Sequence, residues 1–429
     1  MLANSKLSSF FAKNIGIIIA VLSFTIPISH KLTIYLLELT VLFWILSRSW
    51  NFDSKTIGMN KGLIFLILLW LSYSFSLIYS ENINRGFSDI IQKISLVLFP
   101  VIFITSWNSI KNYKDLMFNS FLFGLVVVSL FLLFRAFYLS FNFTEFGFNP
   151  IPSDIPWENY FLYFRFTQPY HPTYLSLYLS LGLAFVSKKV LYSKSQLQRV
   201  LLILCYVFFI VVIYLSSSKA GLIVSALVFV LSIFWILGKR SRIYAGIATV
   251  LILVAIAFSM VNNSRVMYFV NYIKGNSIAE YNFGNEELDN KLKSEATVRL
   301  EIWKNVPRIV GNSWFLGVGV GDSKKVLIDG YNKFEINYAA EAQLNTHNQY
   351  LETFVSTGLV GVIVLLLLLL IAIGQAFVSK DMLLFMFILI VSINFLFESM
   401  FERVFGVMFF SFFYCLLIIK PRVEDENEG

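Results

Sequence analysis

The sequence has little charge and few cysteines or histidines for its length. Only 14% of its 429 residues are charged, 57% are hydrophobic, and the mean hydropathy is +0.72. Because so little polar surface could not cover a soluble globule of this size, a single-core soluble protein is excluded. The composition therefore predicts an all-α, polytopic membrane protein in contact with membrane lipids.

Two cysteines, Cys205 and Cys415, fall inside apolar runs and have no CxxC partner. They are typical of small core residues and indicate neither a disulfide framework nor a metal site. The net charge of +8 could suit a nucleic-acid binder, but the charges are dispersed through short loops and form no basic stripe. We therefore expect no nucleic-acid partner and interpret the positive excess as a topology signal.

Apolar runs of spanning length, roughly 17 to 25 residues each, recur along the chain. About twelve can be distinguished, and a long polar segment precedes the tenth. The predicted spans lie near 14–30, 31–47, 62–80, 92–106, 116–139, 172–187, 199–215, 219–237, 242–261, 350–376, 381–397 and 402–420.

Lysine and arginine are concentrated at every second connection between these spans. The positive-inside rule makes those connections cytoplasmic, so both termini lie inside and the polar segment faces the periplasm of a bacterial inner membrane. The predicted divisions are an N-terminal five-span scaffold at 1–140, an aromatic outer loop with spans six to nine at 141–261, a large outer loop at 262–347, and three spans with a cytoplasmic tail at 348–429.

The outer loop at 140–170 is dense in proline and aromatic residues, which forbids a continuous helix. Such a loop is typical of the headgroup belt and can also form one wall of a lipid or sugar cleft. Arg165 and His171 stand at its end, with His171 as the predicted cap and Pro172 as the first residue of the sixth span. Arg135, near the end of the fifth span, is expected to snorkel to the interface.

The stretch 345–352, with the sequence NTHNQYLE, joins the large outer loop to the tenth span. Thr346-x-x-Gln349 fits a capping box, which would make Thr346 the cap and His347 the first helical residue. The positive end of a helix disfavours imidazolium, so we expect a neutral ring that can accept a proton. A lone histidine at a membrane interface is otherwise most often a satisfied polar residue. All the histidines of the chain are predicted on the outer side: His30, His171 and His347.

Two cations on the outer side have alternative interpretations. Arg299 stands on a predicted helix at 294–306, where Glu295 could hold it in an ordinary surface ion pair. Lys219 begins the eighth span, where a cation opposes the helix dipole. It either snorkels to headgroup phosphates or is aimed at an anionic ligand. The apolar face of the predicted helix comprises Val298, Ile302 and Val306.

Two further stretches carry polar groups or glycines. Glu398 and Glu402 stand four residues apart beside Arg403, and they are expected to hold it or another outer arginine as structural pairs. Direct acid–base work, as in a glycosidase, is the alternative. The sequence GVGVGD at 317–322 lacks both the dinucleotide spacing and the GK[ST] of a P-loop, so it predicts a tight glycine turn.

Taken in order, these motifs resemble the O-antigen ligase and O-antigen polymerase superfamily, membrane glycosyltransferases of bacterial surface-polysaccharide and lipopolysaccharide biosynthesis. The resemblance includes about twelve spans and a large outer loop before the tenth. Its motifs cover about 165 to 410: HPTY at 171–174, SSKAG at 217–221, Arg299-x-x-x-Trp303, GVG at 317–319, HNQYLE at 347–352 with Gly358 and Gly361, and the stretch 398–406.

The resemblance implies transfer of a glycan from undecaprenyl diphosphate to an acceptor hydroxyl on the outer face, without metal or cofactor. His347 would take the acceptor proton, and Arg299 would bind the diphosphate and stabilise its developing charge. Lys219 stands where the family commonly has arginine, and it offers a point charge in place of a bidentate fork. The expected substrate-binding residues are Lys219, Arg165, His171, Asn348 and Arg403, with Glu398 and Glu402 in support.

Three alternatives remain open from the sequence. A ligase would add the glycan to lipid A-core or another acceptor, whereas a polymerase would extend the lipid-linked glycan. A transporter of the same glycan would show polar residues or broken helices near the bilayer midplane, often in two related halves. No such halves are evident. A non-catalytic scaffold would tolerate loss of all the outer cations.

Overall fold

The computed structural model describes residues 2–48, 50, 60–142, 146–151, 159–237, 246 and 286–419. Over these ranges the protein is helical, apart from one hairpin in which Phe141–Asn142 (β1) pairs antiparallel with Gly147–Phe148 (β2). The α-helices are α1 (Leu2–Thr25), α2 (His30–Ser47), α3 (Lys61–Ser76), α4 (Ile83–Gln92), α5 (Ser95–Ile110), α6 (Lys114–Ser140), α7 (Tyr163–Thr167), α8 (Pro172–Tyr192), α9 (Gln196–Ser216), α10 (Lys219–Leu237), α11 (Glu286–Val310), α12 (Ser323–Lys333), α13 (Asn337–Glu341), α14 (Gln349–Ser379), α15 (Met382–Phe397) and α16 (Val404–Ile418).

Seven helical segments in the described ranges are long and apolar enough to cross a membrane, and α3, α15 and α16 are shorter apolar helices. One of the seven segments, Ile83–Ser140, contains α4, α5 and α6. The all-α membrane class predicted from the composition is therefore confirmed. The predicted ninth span, 242–261, lies outside the described residues except for Gly246, and the total of about twelve spans stays a prediction.

Helix α16 lies at the centre of the helical bundle, and every residue from 406 to 418 is buried. Its Phe413 packs on Phe121 of α6 with ring centroids 4.6 Å apart, and Phe412 packs on Phe99 of α5 at 5.4 Å. A helix that is apolar on all sides is stable only when it is covered on all sides. By contrast, α9 exposes an apolar face suited to lipid, formed by Leu197, Leu201, Leu204, Val207 and Val211.

Helices α11, α12 and α13 form a second, smaller core in the segment predicted as the large loop. The predicted apolar face of α11 is confirmed, because Val298, Ile302 and Val306 are all buried. They pack with Leu327 and Tyr331 of α12. The polar segment is thus held by its own hydrophobic contacts and lies against the start of α14.

Helix α14 is interrupted at Gly358, whose φ of +64° and ψ of −160° are not helical. The segment 314–319 lies against this break and bonds its backbone on both sides. Val318 N donates to Val355 O at 2.8 Å, and Leu359 N donates to Trp314 O at 2.9 Å. These bonds satisfy polar groups that an interrupted helix would leave unpaired at a membrane.

The predicted glycine turn at 317–322 is confirmed, since Gly317 and Gly319 have φ values of +78° and +94°. The turn is joined to the link between α3 and α4 by Asp322, whose carboxylate accepts Glu81 N at 2.7 Å and Asn82 N at 3.1 Å. These segments meet at one end of the bundle, which we call the loop end. Here α3, α6, α9 and α15 end, and α8, α10, α14 and α16 begin.

Substitution of Gly358 by alanine is expected to destabilise the protein. A Cβ atom at this position would lie 2.3 Å from Phe315 O and 2.4 Å from Gly317 N, in a backbone conformation that L-residues rarely adopt. We expect Gly358→Ala to cost at least about 2 kcal/mol and to lower the thermal unfolding temperature of the purified protein.

The matched control is Gly374→Ala in the same helix, where a Cβ would meet no atom within 4 Å. Alanine is favoured over glycine in a helix by about 1 kcal/mol, so this variant should be as stable as the wild type or more so. Equal unfolding temperatures for the two variants would contradict the claim that the helix break at Gly358 requires glycine.

Candidate active site at the loop end

The histidine predicted to start the tenth span lies before the helix. Helix α14 begins at Gln349 and is capped by Asn348, whose side-chain oxygen accepts Leu351 N at 3.1 Å. The prediction of Thr346 as the cap and His347 as the first helical residue is therefore wrong. Asparagine caps as well as threonine does, and the Thr346 hydroxyl is already used elsewhere.

A buried network beneath His347 fixes the backbone on which it stands. Glu352 Oε2 lies 3.0 Å from Thr346 N and 2.8 Å from Thr346 Oγ1. Trp303 of α11 donates its indole N–H to Thr346 O at 2.8 Å, and Ser399 Oγ accepts Asn348 N at 3.2 Å. His347 has a φ of +48°, uncommon for a residue other than glycine. The network holds the chain in this conformation.

The His347 side chain faces Glu398, which follows the end of α15. His347 Nδ1 and Glu398 Oε2 are 3.8 Å apart, and the two side chains are 21% and 7% exposed. Within the described ranges neither atom has a hydrogen-bond partner. A separation of 3.8 Å is too long for a hydrogen bond, so the pair is close enough for ion pairing but leaves two buried polar atoms unsatisfied.

Arg299 comes to the same place from α11. Its Nη1 donates to Phe397 O at 3.1 Å, one residue before Glu398. Trp303, one helical turn later on the same face, bonds to Thr346 O, one residue before His347. The structure therefore brings the two residues predicted as catalytic, His347 and Arg299, together around Glu398. The side chain of Glu295, the alternative partner of Arg299, lies outside the described side chains.

His171 borders this cluster from the start of α8. It is the N-cap of α8 and its Nδ1 accepts Thr173 N at 3.4 Å, while Pro172 is the first helical residue, as predicted. Burial lowers the pKa of His171; the nearby Glu398 opposes this change, and Arg299, His347 and Arg403 add to it. The net effect keeps His171 neutral.

The pKa of Glu398 is lowered by its surroundings. Burial alone raises it, but the His347 ring beside the carboxyl and the positive charge of Arg299 outweigh burial. Glu398 is consequently ionised at neutral pH, with a negative charge directly beside the His347 ring.

The structural pairing expected for Arg403 is wrong. Glu402 instead pairs with Lys93, which lies between α4 and α5, at an Nζ–Oε1 distance of 3.0 Å. Glu398 faces His347, and Arg403 is exposed without an ion-pair partner among the described residues. Substrate binding by Arg403 stays a prediction, and the side chain of Asn348 is used as a helix cap.

Arg165 and Lys219 stand on other elements of the bundle. Arg165 stands in the aromatic loop, where its carbonyl oxygen accepts Arg135 Nη1 at 2.8 Å. This bond ties α6 to α7, and the snorkelling expected of Arg135 stays a prediction. Lys219 is exposed at the start of α10, whose Gly221 packs directly on Ser176 of α8.

Several residues of the loop end were not predicted from the sequence. Lys93 is a single charge at the start of an apolar run, a position that by itself marks a residue with a specific partner. Tyr174, in the predicted HPTY motif, is 3% exposed, and its hydroxyl has no hydrogen-bond partner among the described residues. The others form the network beneath His347: Thr346, Gln349, Glu352 and Ser399.

Removal of the Thr346 hydroxyl tests the buried network. Thr346→Val leaves the Glu352 carboxylate with one fewer hydrogen bond, and we expect this to destabilise the protein by about 1–3 kcal/mol. Thr346→Ser keeps the hydroxyl and serves as the control. Thermal unfolding of the purified variants measures the difference, and a Thr346→Val protein as stable as Thr346→Ser would contradict the role of the hydroxyl.

The comparisons with known proteins concern the second half of the chain. A family model described as O-antigen ligase matches residues 204–366, which include α10, α11 and the first turns of α14. Arg299 and His347 lie inside the matched region. Among curated proteins the chain has no match. The matched region agrees with the order of motifs in the sequence and makes this part of the chain similar to the O-antigen ligase family.

Proposed function

We propose that this protein transfers a glycan from a polyprenyl-diphosphate donor to an acceptor hydroxyl, with His347 as the general base. Glycan transfer of the O-antigen ligase type is indicated at the family level. The observation that carries the proposal further is the His347–Glu398 pair at 3.8 Å, with Arg299 bonded beside it. This arrangement offers a base, a group that orients it and a cation for the leaving group.

The chemistry assigns one step to each group. The acceptor hydroxyl loses its proton to the His347 ring as its oxygen attacks the anomeric carbon of the donor sugar. The bond from that carbon to the diphosphate breaks, and the lipid diphosphate leaves with the bonding electrons. The ionised Glu398 stabilises the imidazolium that forms, much as a carboxylate orients a catalytic histidine elsewhere.

Arg299 suits the diphosphate because its guanidinium offers several donors in a fixed plane. One N–H is used on Phe397 O, which orients the group and leaves the remaining donors for phosphate oxygens. Lys219, on α10, would supply a second charge to the same donor, reaching it from the helix that packs against α8. Its contribution is secondary in this proposal because lysine offers a point charge in place of the bidentate fork of arginine.

The loop end is proposed to face the periplasm of the bacterial inner membrane. Basic residues mark the opposite end of the bundle, and the positive-inside rule places such residues in the cytoplasm. They are Lys61, Lys111, Lys114, Lys188, Lys189, Lys194, Arg199 and Lys380.

The acceptor decides between ligation and polymerisation. Purified protein in lipid would receive a labelled lipid-linked glycan together with either lipid A-core or a second lipid-linked glycan. Product on lipid A-core supports a ligase, and lengthened lipid-linked glycan supports a polymerase. A transporter moves the donor between leaflets and leaves it intact, so an unconsumed donor with both acceptors would overturn the proposal.

His347→Ala and Arg299→Ala are expected to abolish transfer while the protein still folds. Loss of a general base costs roughly 10²–10⁴-fold, and loss of a group that stabilises developing charge costs roughly 10²–10³-fold. Arg308→Ala, an exposed arginine on the same helix as Arg299, is the matched control and should retain wild-type transfer. Full activity in purified His347→Ala would disprove the mechanism.

Glu398→Gln tests the role of the carboxylate through the pH dependence of transfer. Since the pKa of Glu398 is lowered, its charge persists above the ordinary glutamate value of about 4.3. An acid limb above that pH therefore reports the base. In the variant the imidazolium loses its adjacent carboxylate, so we expect a lower kcat and an acid limb moved to lower pH.

The control for this prediction is Glu341→Gln, which changes an exposed carboxylate on α13. It should keep both the rate and the pH profile of the wild type. An acid limb at the wild-type position in Glu398→Gln would show that the carboxylate does not act on His347.

A further inference from the structure

Lys93 is a buried cation in the part of the chain predicted to be scaffold. Its side chain is 1% exposed, with Nζ 3.0 Å from Glu402 Oε1 and 5.1 Å from the centroid of the Tyr73 ring. Removing an ammonium group from water costs several kcal/mol unless it is well paired. Lys93 therefore stands where it does only because Glu402 and Tyr73 compensate its charge.

The partner of Lys93 belongs to a short segment that also carries Glu398. We call residues 398–403, which join α15 to α16, the strap. On one side, Gln92 Nε2 donates to Phe401 O at 3.0 Å, next to the Lys93–Glu402 pair. On the other side, Phe401 N donates to Gln349 Oε1 at 2.6 Å. The strap is thus fastened between the α4–α5 link and the start of α14.

The same segment faces a second buried carboxylate. Ser399 Oγ lies 3.4 Å from Glu352 Oε2, and Glu352 is 3% exposed. Glu352 and Glu402 are close enough for their charges to repel, and Lys93 is near enough to attract both. Without Lys93, two carboxylates would face each other at the strap with no buried cation from the α4–α5 link.

We infer that Lys93 is a positioning residue for the transfer reaction: through Glu402 it holds the strap, and the strap holds Glu398 against His347. The inference rests on the proposed function of His347. It assigns to Lys93 no contact with substrate, so its loss should reduce the rate of the chemical step while donor binding is retained.

Four variants test this inference in the transfer assay: Lys93→Met, Lys93→Arg, Glu402→Gln, and Lys93→Met combined with Glu402→Gln. A small displacement of a catalytic group can cost roughly 10²-fold, so Lys93→Met should lower kcat by about 10–100-fold with little change in the donor KM. Lys93→Arg keeps the charge and should recover much of the rate. Lys304→Met, at an exposed lysine of α11, is the control.

The double variant decides whether Lys93 acts through Glu402. Neutralising Glu402 removes the unpaired carboxylate that Lys93→Met creates, so the double variant should be more active than Lys93→Met alone. Losses that simply multiply in the double variant, or a wild-type kcat in folded Lys93→Met, would overturn the inference. If Lys93→Met does not fold, Glu402→Gln alone still tests the pair by the same change in kcat.

Hydrogen exchange provides a readout that does not depend on transfer. Lys93→Met should exchange faster than the wild type in peptides covering the strap and residues 345–348, whereas Lys304→Met should not. Unchanged exchange in those peptides would refute the positioning role even if activity falls. If the wild type itself consumes no donor, the proposed function fails, and the exchange result still decides whether Lys93 holds the strap.

Discussion

The loop end of the bundle depends on the solvation of one buried carboxylate. Glu352 is 3% exposed, and its Oε2 lies within hydrogen-bond distance of the backbone nitrogen and the hydroxyl of Thr346. A carboxylate in such a place is tolerated only with bonded partners. Satisfying it folds the chain back over the first turn of α14. As a result, His347 lies outside the helix, with its side chain facing Glu398.

The interrupted helix and the large loop also depend on each other. The break at Gly358 frees backbone groups that a continuous helix would pair, and the segment 314–319 supplies the missing bonds. In return, α14 fixes the glycine turn, which holds α11 and α12 close to the bundle. Arg299 is therefore positioned by the packing of α11, which belongs to the second, smaller hydrophobic core.

The first 140 residues have a more direct part in the loop end than a scaffold would. Tyr73 shares a hydrogen bond of 2.9 Å with Thr353 of α14, and Lys93 pairs with Glu402 of the strap. Both residues are buried, so their polar groups require these partners. The matched family region, 204–366, therefore does not contain every group that supports the candidate site.

The sequence by itself determined the all-α membrane class, because low charge and recurrent apolar runs leave no other way to bury the chain. The ordered motifs also predicted the likeness to the O-antigen ligase family and a shared place for His347 and Arg299. Only the tertiary structure decided how charges are paired and which residue caps α14. Thr346 and Asn348 are both good caps, and the choice follows from the need of Glu352 for partners. Glu402 binds Lys93, 309 residues away. A buried cation pairs with the carboxylate that the fold brings close to it, and spacing along the chain does not show which carboxylate that is.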